Sequence, residues 1–191
     1  MSLLDALNEV KKSGFDPKEG KEYNAYAPIP AGTYKVSLDG VTHNAKGDRD
    51  FLMLNFLVIE GKYDGKTESV FPTLAQVTSK GNPMPQFVIA RSISMLQIIG
   101  EMTDTPIPDS CFDHDSETDA YEDLANILQK AKGKVLMMTI KETANKKNPD
   151  HPYRNYEFAR AEQPKTLDVK DDPFKDNKDS DVNISDDDLP F

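Results

Sequence analysis

The sequence predicts a mainly β domain of five strands, with helices inserted between the third and fourth. A short N-terminal helix precedes it and a disordered acidic tail follows. Three observations predict this. Segments of strand-like hydrophobicity recur within 33–71, 134–141 and 153–161, parted by Gly-, Asp- and Pro-rich turns. Between the third and fourth segments, residues 87–99 and 118–132 show helical spacing, parted by a polar stretch, 103–117, of no regular period. Beyond Pro164 the hydrophobic residues are isolated among Asp, Lys, Asn and Ser, too little apolar surface to offset the entropy of ordering. The expected divisions are 1–27 (helix and connector), 28–164 (domain) and 165–191 (tail).

The elements follow in order. Ser2-Leu3-Leu4-Asp5 matches a capping box, and Leu3, Leu4, Leu7 and Val10 form one apolar helical face that is expected to pack on the domain. Lys11 and Lys12 suit the helix end, and Gly14 stops it. Phe15 to Pro30 is a connector rich in Gly and Pro. Thr33 to Asp39 alternates, with Tyr34, Val36 and Leu38 inward, and Asn44 to Asp48 forms a turn. Phe51 to Ile59 is a strand apolar on both faces: Leu52, Leu54, Phe56 and Val58 against Phe51, Met53, Leu57 and Ile59. Gly61 to Lys66 is a hairpin turn, and Thr67 to Phe71 a third strand ended by Pro72. A helix covers Phe87 to Ile99, with Gly100 as its stop. A second helix fits 118–132, acidic at its start, basic at its end, and closed by Gly133. Lys134 to Lys141 and Tyr153 to Ala161 are the last two strands, joined by a long polar loop.

Composition narrows the function classes. The 191 residues suit one domain plus appendages, 37% hydrophobic and 29% charged. The formal charge is −10, and half of it lies in residues 165–191, which hold nine Asp and four Lys. The body is still acidic, so a nucleic-acid partner would need a locally cationic groove. A single cysteine, Cys111, excludes an intrachain disulfide and a cysteine-built zinc site. Cys111 lacks a neighbouring activator and reads as inert. No apolar run reaches membrane-spanning length, and Met1 to Asp5 lacks the basic start of a signal peptide; a soluble cytoplasmic protein is expected. Asp113-His114-Asp115 with Glu117 reads as an acidic loop rather than a metal site. Asp179 to Asn183 fails as a calcium loop, because Ile184 stands where the loop needs Gly. No phosphate-binding Gly loop and no nucleophile–base pair stands out. Neither an enzyme, a cofactor nor a metal is expected.

The chain ends Asp186-Asp187-Asp188-Leu189-Pro190-Phe191. Phe191 and Leu189 are apolar anchors, and the carboxylates suit a basic rim on a partner. This ending resembles the acidic tip of bacterial single-stranded DNA-binding proteins, with Leu189 in place of Ile. The element order resembles that of the oligonucleotide/oligosaccharide-binding (OB) barrel, with a larger insert between strands three and four. Ile29-Pro30-Ala31-Gly32-Thr33-Tyr34, followed by Phe56-Leu57-Val58-Ile59-Glu60-Gly61-Lys62-Tyr63-Asp64-Gly65, is similar to the start of phage-encoded members of that class.

The resemblance implies sequence-independent binding of single-stranded DNA in replication, recombination or repair, with the tip recruiting partner proteins. It implies a five-stranded OB-type barrel. It places DNA contacts on strands two and three and on the loops between strands one and two and between four and five. The residues there are Lys46, Arg49, Phe51 and Met53; Lys62, Tyr63, Lys66 and Phe71; and Lys146, Lys147, Tyr153 and Arg154. Asp48, Asp50 and Asp150 lie among them and weaken the field. Phe51, Tyr63 and Tyr153 are candidates either for base stacking or for packing and subunit contact; homo-oligomerisation stays open. Tyr34, Phe56, Tyr156 and Phe158 are expected in the core. The rival expectation is an acidic OB-like adaptor that binds proteins and never touches DNA, which the negative body favours.

Overall fold

A computed structural model describes residues 2–12, 15–20, 28–45, 50–146, 148 and 151–164. Helix α1 spans Leu3–Lys12. The Ser2 N–H donates to Asp5 Oδ2 at 2.8 Å, and the Asp5 N–H donates to Ser2 Oγ at 3.1 Å. This is the reciprocal box that the sequence predicts. Its apolar face is not packed on the domain as expected: Leu3, Leu4 and Leu7 are all exposed. The helix start is held by its local cap rather than by burial.

Five strands form one antiparallel sheet in the order β3-β2-β1-β4-β5. They are β1 (Gly32–Asn44), β2 (Phe51–Val58), β3 (Thr67–Val70), β4 (Val135–Thr143) and β5 (Tyr153–Arg160). β1 is longer than its sequence pattern suggests. Its register against β2 shifts between Leu38 and Gly40, which leaves Asp39 as the extra residue of a bulge. Val36 and Leu38 point inward before the bulge and Val41 after it, so the alternation changes phase and the strand reads as ended. β2 alternates without a fault: Leu52, Leu54, Phe56 and Val58 are buried and the residues between them half-buried.

Two helices fill the link between β3 and β4. α2 (Gln86–Met102) lies against β5, and α3 (Glu117–Leu128) against β1 and β2. Gly100 does not stop α2. The helix runs two residues on and ends where the Thr103 hydroxyl bonds the Ile99 carbonyl at 2.8 Å and Asp104 turns left-handed at φ 54°. Gly100 instead permits a close approach, since a Cβ there would stand 2.8 Å from the Thr105 carbonyl oxygen. α3 begins at Ser116, whose hydroxyl accepts from the Thr118 N–H at 3.1 Å. Gly133, at φ 84°, follows the helical region as expected.

The core lies between the inner sheet face and these helices. Phe56, Leu38, Leu54, Leu136 and Met138 meet Leu96, Ile99, Tyr121, Leu124 and Leu128. Phe56 packs against Phe158, ring centres 5.0 Å apart and planes tilted by 37°. Tyr34, Tyr156 and Phe158 pack on the core half-buried, in line with the expectation for them.

The expected barrel is not closed. Among the described residues no backbone ladder joins β3 to β5. β3 has only four residues and gives way to Phe71 and Pro72 one position earlier than predicted, which leaves too short an edge for a further ladder.

Candidate nucleic-acid interface

β2 turns Phe51, Met53, Asn55 and Leu57 to the sheet's outer face, opposite its buried set. β3 runs beside it with Ser69 opposite Asn55, and the Ser69 hydroxyl donates to Asn55 Oδ1 at 2.8 Å. Two residues on, Phe71 stands on the same face. Its ring meets Phe51 edge-on, centres 5.8 Å apart and planes at 64°. Phe51 is half-buried by this contact, while Phe71 is 57% exposed. Two of the aromatic residues singled out in the sequence thus form one platform, and Met53, two residues beyond Phe51 along β2, is half-buried.

The hairpin candidates lie at the other end of this ladder, beyond Leu57 and Thr67, about 20 Å along β2 from Phe51. Lys62 is exposed and Lys66 half-buried. Tyr63 is packed: its ring meets Tyr34 at 5.9 Å, and Lys62 Nζ lies 5.7 Å from its centre. On the β4–β5 loop Lys146 is exposed, and Tyr153 is 57% exposed at the start of β5. Lys46, Arg49 and Lys147 lie outside the described residues, as does the tip from Asp186 to Phe191.

Arg154 points into the protein. Its Nε donates to Glu68 Oε1 at 3.0 Å, Nη1 to Glu142 Oε1 at 2.8 Å and Nη2 to the Ile29 carbonyl at 2.6 Å. Tyr156 OH donates to the same Glu68 oxygen at 2.7 Å. The side chains of β5 therefore reach across to β3 and clasp the seam that no backbone ladder closes. Burial, reinforced by the bond and charge of Glu68, pushes the Tyr156 phenol up to about 12. Glu68 was not singled out in the sequence. Its signal was phase: it shares the inward face of β3 with Val70, so a buried carboxylate needing partners was implied.

Beyond this clasp the seam opens into a groove of about 600 Å³ between the end of β3, α2 and β5. Val70, Phe71, Val88, Met95 and Phe158 line it, together with Arg91, whose Nη2 donates to Asn155 Oδ1 at 2.7 Å. None of the groove's α2 residues was foreseen as part of a site, because helical spacing marks them only as a packing face.

The remaining constellations are local. His114 Nε2 and Asp123 Oδ2 lie 2.9 Å apart, and His43 Nε2 and Asp50 Oδ1 3.0 Å. Asp50 also accepts from the Thr118 hydroxyl, so its charge is engaged inside the protein. Cys111 is buried, and burial raises its thiol pKa. Among the described residues no three His, Cys, Asp or Glu gather as metal ligands, and no helix is long and apolar enough to cross a membrane. A comparison of the chain with known protein families and with curated proteins finds no match.

Proposed function

We propose that this chain binds single-stranded DNA without sequence preference, in phage DNA replication, recombination or repair, and that its acidic tip recruits partner proteins. The observation that carries this is the Phe51–Phe71 pair, with Phe71 exposed, on the outer face of β2 and β3. A flat ring fixed on a rigid strand stacks with any base, at about 1–3 kcal/mol per base. Lys62, Lys66 and Lys146 supply positive charge at the sheet's rims, the first and last exposed. The strand order supports an OB-like arrangement, with the usual β3–β5 closure replaced by the Glu68 clasp. Partner recruitment rests on the tip's composition: three carboxylates, then Leu189, Pro190 and Phe191.

Titration of the chain with labelled oligo-dT and with duplex DNA, at several salt concentrations, tests the proposal. Single strands should bind preferentially, with an affinity that falls as salt rises. A second reading is favoured by one observation, the formal charge of −5 that residues 1–164 keep once the −5 of residues 165–191 is taken from the total of −10: an acidic adaptor that engages proteins and no DNA. Absence of single-strand binding, with partner capture retained, would select it. Deleting 185–191 should abolish partner capture and spare DNA binding.

A further inference from the structure

Charge is unevenly answered around the groove between α2 and β5. Arg154, on one wall, closes on Glu68 and Glu142. Glu157, on the same strand, closes on Lys141. Arg160, further along, closes on Asp104. Arg91 alone of the described arginines meets only a neutral group, the Asn155 amide. Its positive charge stands at the mouth of a space lined by Val70, Phe71, Val88, Met95 and Phe158. A volume of about 600 Å³ is within the range of sites that hold a small ligand. An occupant must therefore offer a flat apolar body and a negative charge.

Phe71 belongs to two surfaces. It pairs with Phe51 on the outer face of the sheet, and it lines the groove. A ligand lying on the platform reaches the groove by crossing one residue. We infer that the single strand runs on over Phe71 into the groove, where a base lies among the apolar walls and a phosphate meets Arg91. This rests on the DNA-binding proposal above and adds α2 to the binding surface. The chain's own end, Leu189-Pro190-Phe191 with its carboxylates, has similar chemistry and is the rival occupant that the test below separates from DNA.

Two variants of the full-length chain test the inference. Arg91→Gln removes the charge and keeps an amide near Asn155. Val88→Trp fills the groove and keeps the charge. Both positions are helix sites with exposed or half-buried side chains, and unfolding curves check that each variant folds. Fluorescein-labelled oligo-dT from about 4 to about 16 nucleotides is titrated at several salt concentrations. For the longer oligonucleotides, Arg91→Gln should lower affinity several-fold and reduce the salt slope by about 0.7, the share of one single-strand phosphate. Val88→Trp should lower affinity about tenfold, as loss of a stacked base does. The shortest oligonucleotides, which fit on the platform, should bind all three proteins alike. If wild type binds and both variants keep its length dependence and salt slope, the groove lies off the path, and the platform proposal survives. If wild type binds no single strand, both proposals fall. If a labelled peptide of residues 185–191 binds wild type but not Arg91→Gln, while DNA binding is the same in both, the groove is a dock for the tail and the inference is wrong.

Discussion

Arg154 and Arg91 face the same seam, one from β5 and the other from α2, and their surroundings differ. Arg154 has two carboxylates and a carbonyl within hydrogen-bonding distance, and β3 is tied to β5 where it stands. Arg91 has one neutral amide, and the seam beside it is open. A guanidinium that is buried must have its charge and donors matched by protein, whereas one at a groove mouth keeps donors for a ligand. On the proposed reading, the two halves of the seam divide stability from binding, and each can be disturbed separately.

The largest effect is expected at the clasp. Glu68→Ala leaves Arg154 and Tyr156 without their shared acceptor in a buried place, and unfolding in urea should show a loss of about 3 kcal/mol. A loss below about 0.5 kcal/mol, the size of a surface change, would mean that the clasp does not hold the seam. Phe71→Ala should act oppositely. Affinity for oligo-dT should fall by about 1–3 kcal/mol, with little change in the urea midpoint, because the ring is largely exposed. A stability loss without a binding loss would make Phe71 a packing residue.

Tyr156→Phe removes one hydrogen bond to Glu68 and should cost about 1 kcal/mol at neutral pH. It also has a pH signature. The phenol ionises near 10 when unfolded and near 12 in the protein, so its stabilising contribution is whole below pH 10 and fades as pH rises through about 12. The stability gap between wild type and Tyr156→Phe should narrow over that window; a gap independent of pH would remove Glu68 and burial as the causes. The smallest effect is expected at Lys141, whose pair with Glu157 lies in solvent. Lys141→Ala should cost no more than about 0.5 kcal/mol, measured in the same urea series.

Much of the framework was legible because local rules and burial agree there. The capping box at Ser2 and Asp5, the alternation of β2 and the glycine after the helical region all follow from neighbours in sequence. What was not legible came from long-range partners. Arg154 opens a strand just after a polar loop that holds Lys146 and Lys147 and resembles a phosphate contact; only folding brings Glu68 to it, 86 positions away. β1 looked short because a bulge at Asp39 inverts its alternation. Gly100 looked like a helix stop because the side-chain bond from Thr103 and the turn at Asp104 are invisible to propensity. Of the site, Phe51 and Phe71 were named in advance, but their pairing was not, and Arg91 was taken only as part of a helix.

Cys111 carries a practical consequence. It is the sole thiol of the chain, it sits in the turn between α2 and α3, and it is covered. A thiol reagent reaches it only when the turn opens from its surroundings, α3 among them. Its labelling rate therefore times the opening of the molecule at this one point, and comparing it with the global unfolding rate tells whether the turn between the helices breathes by itself.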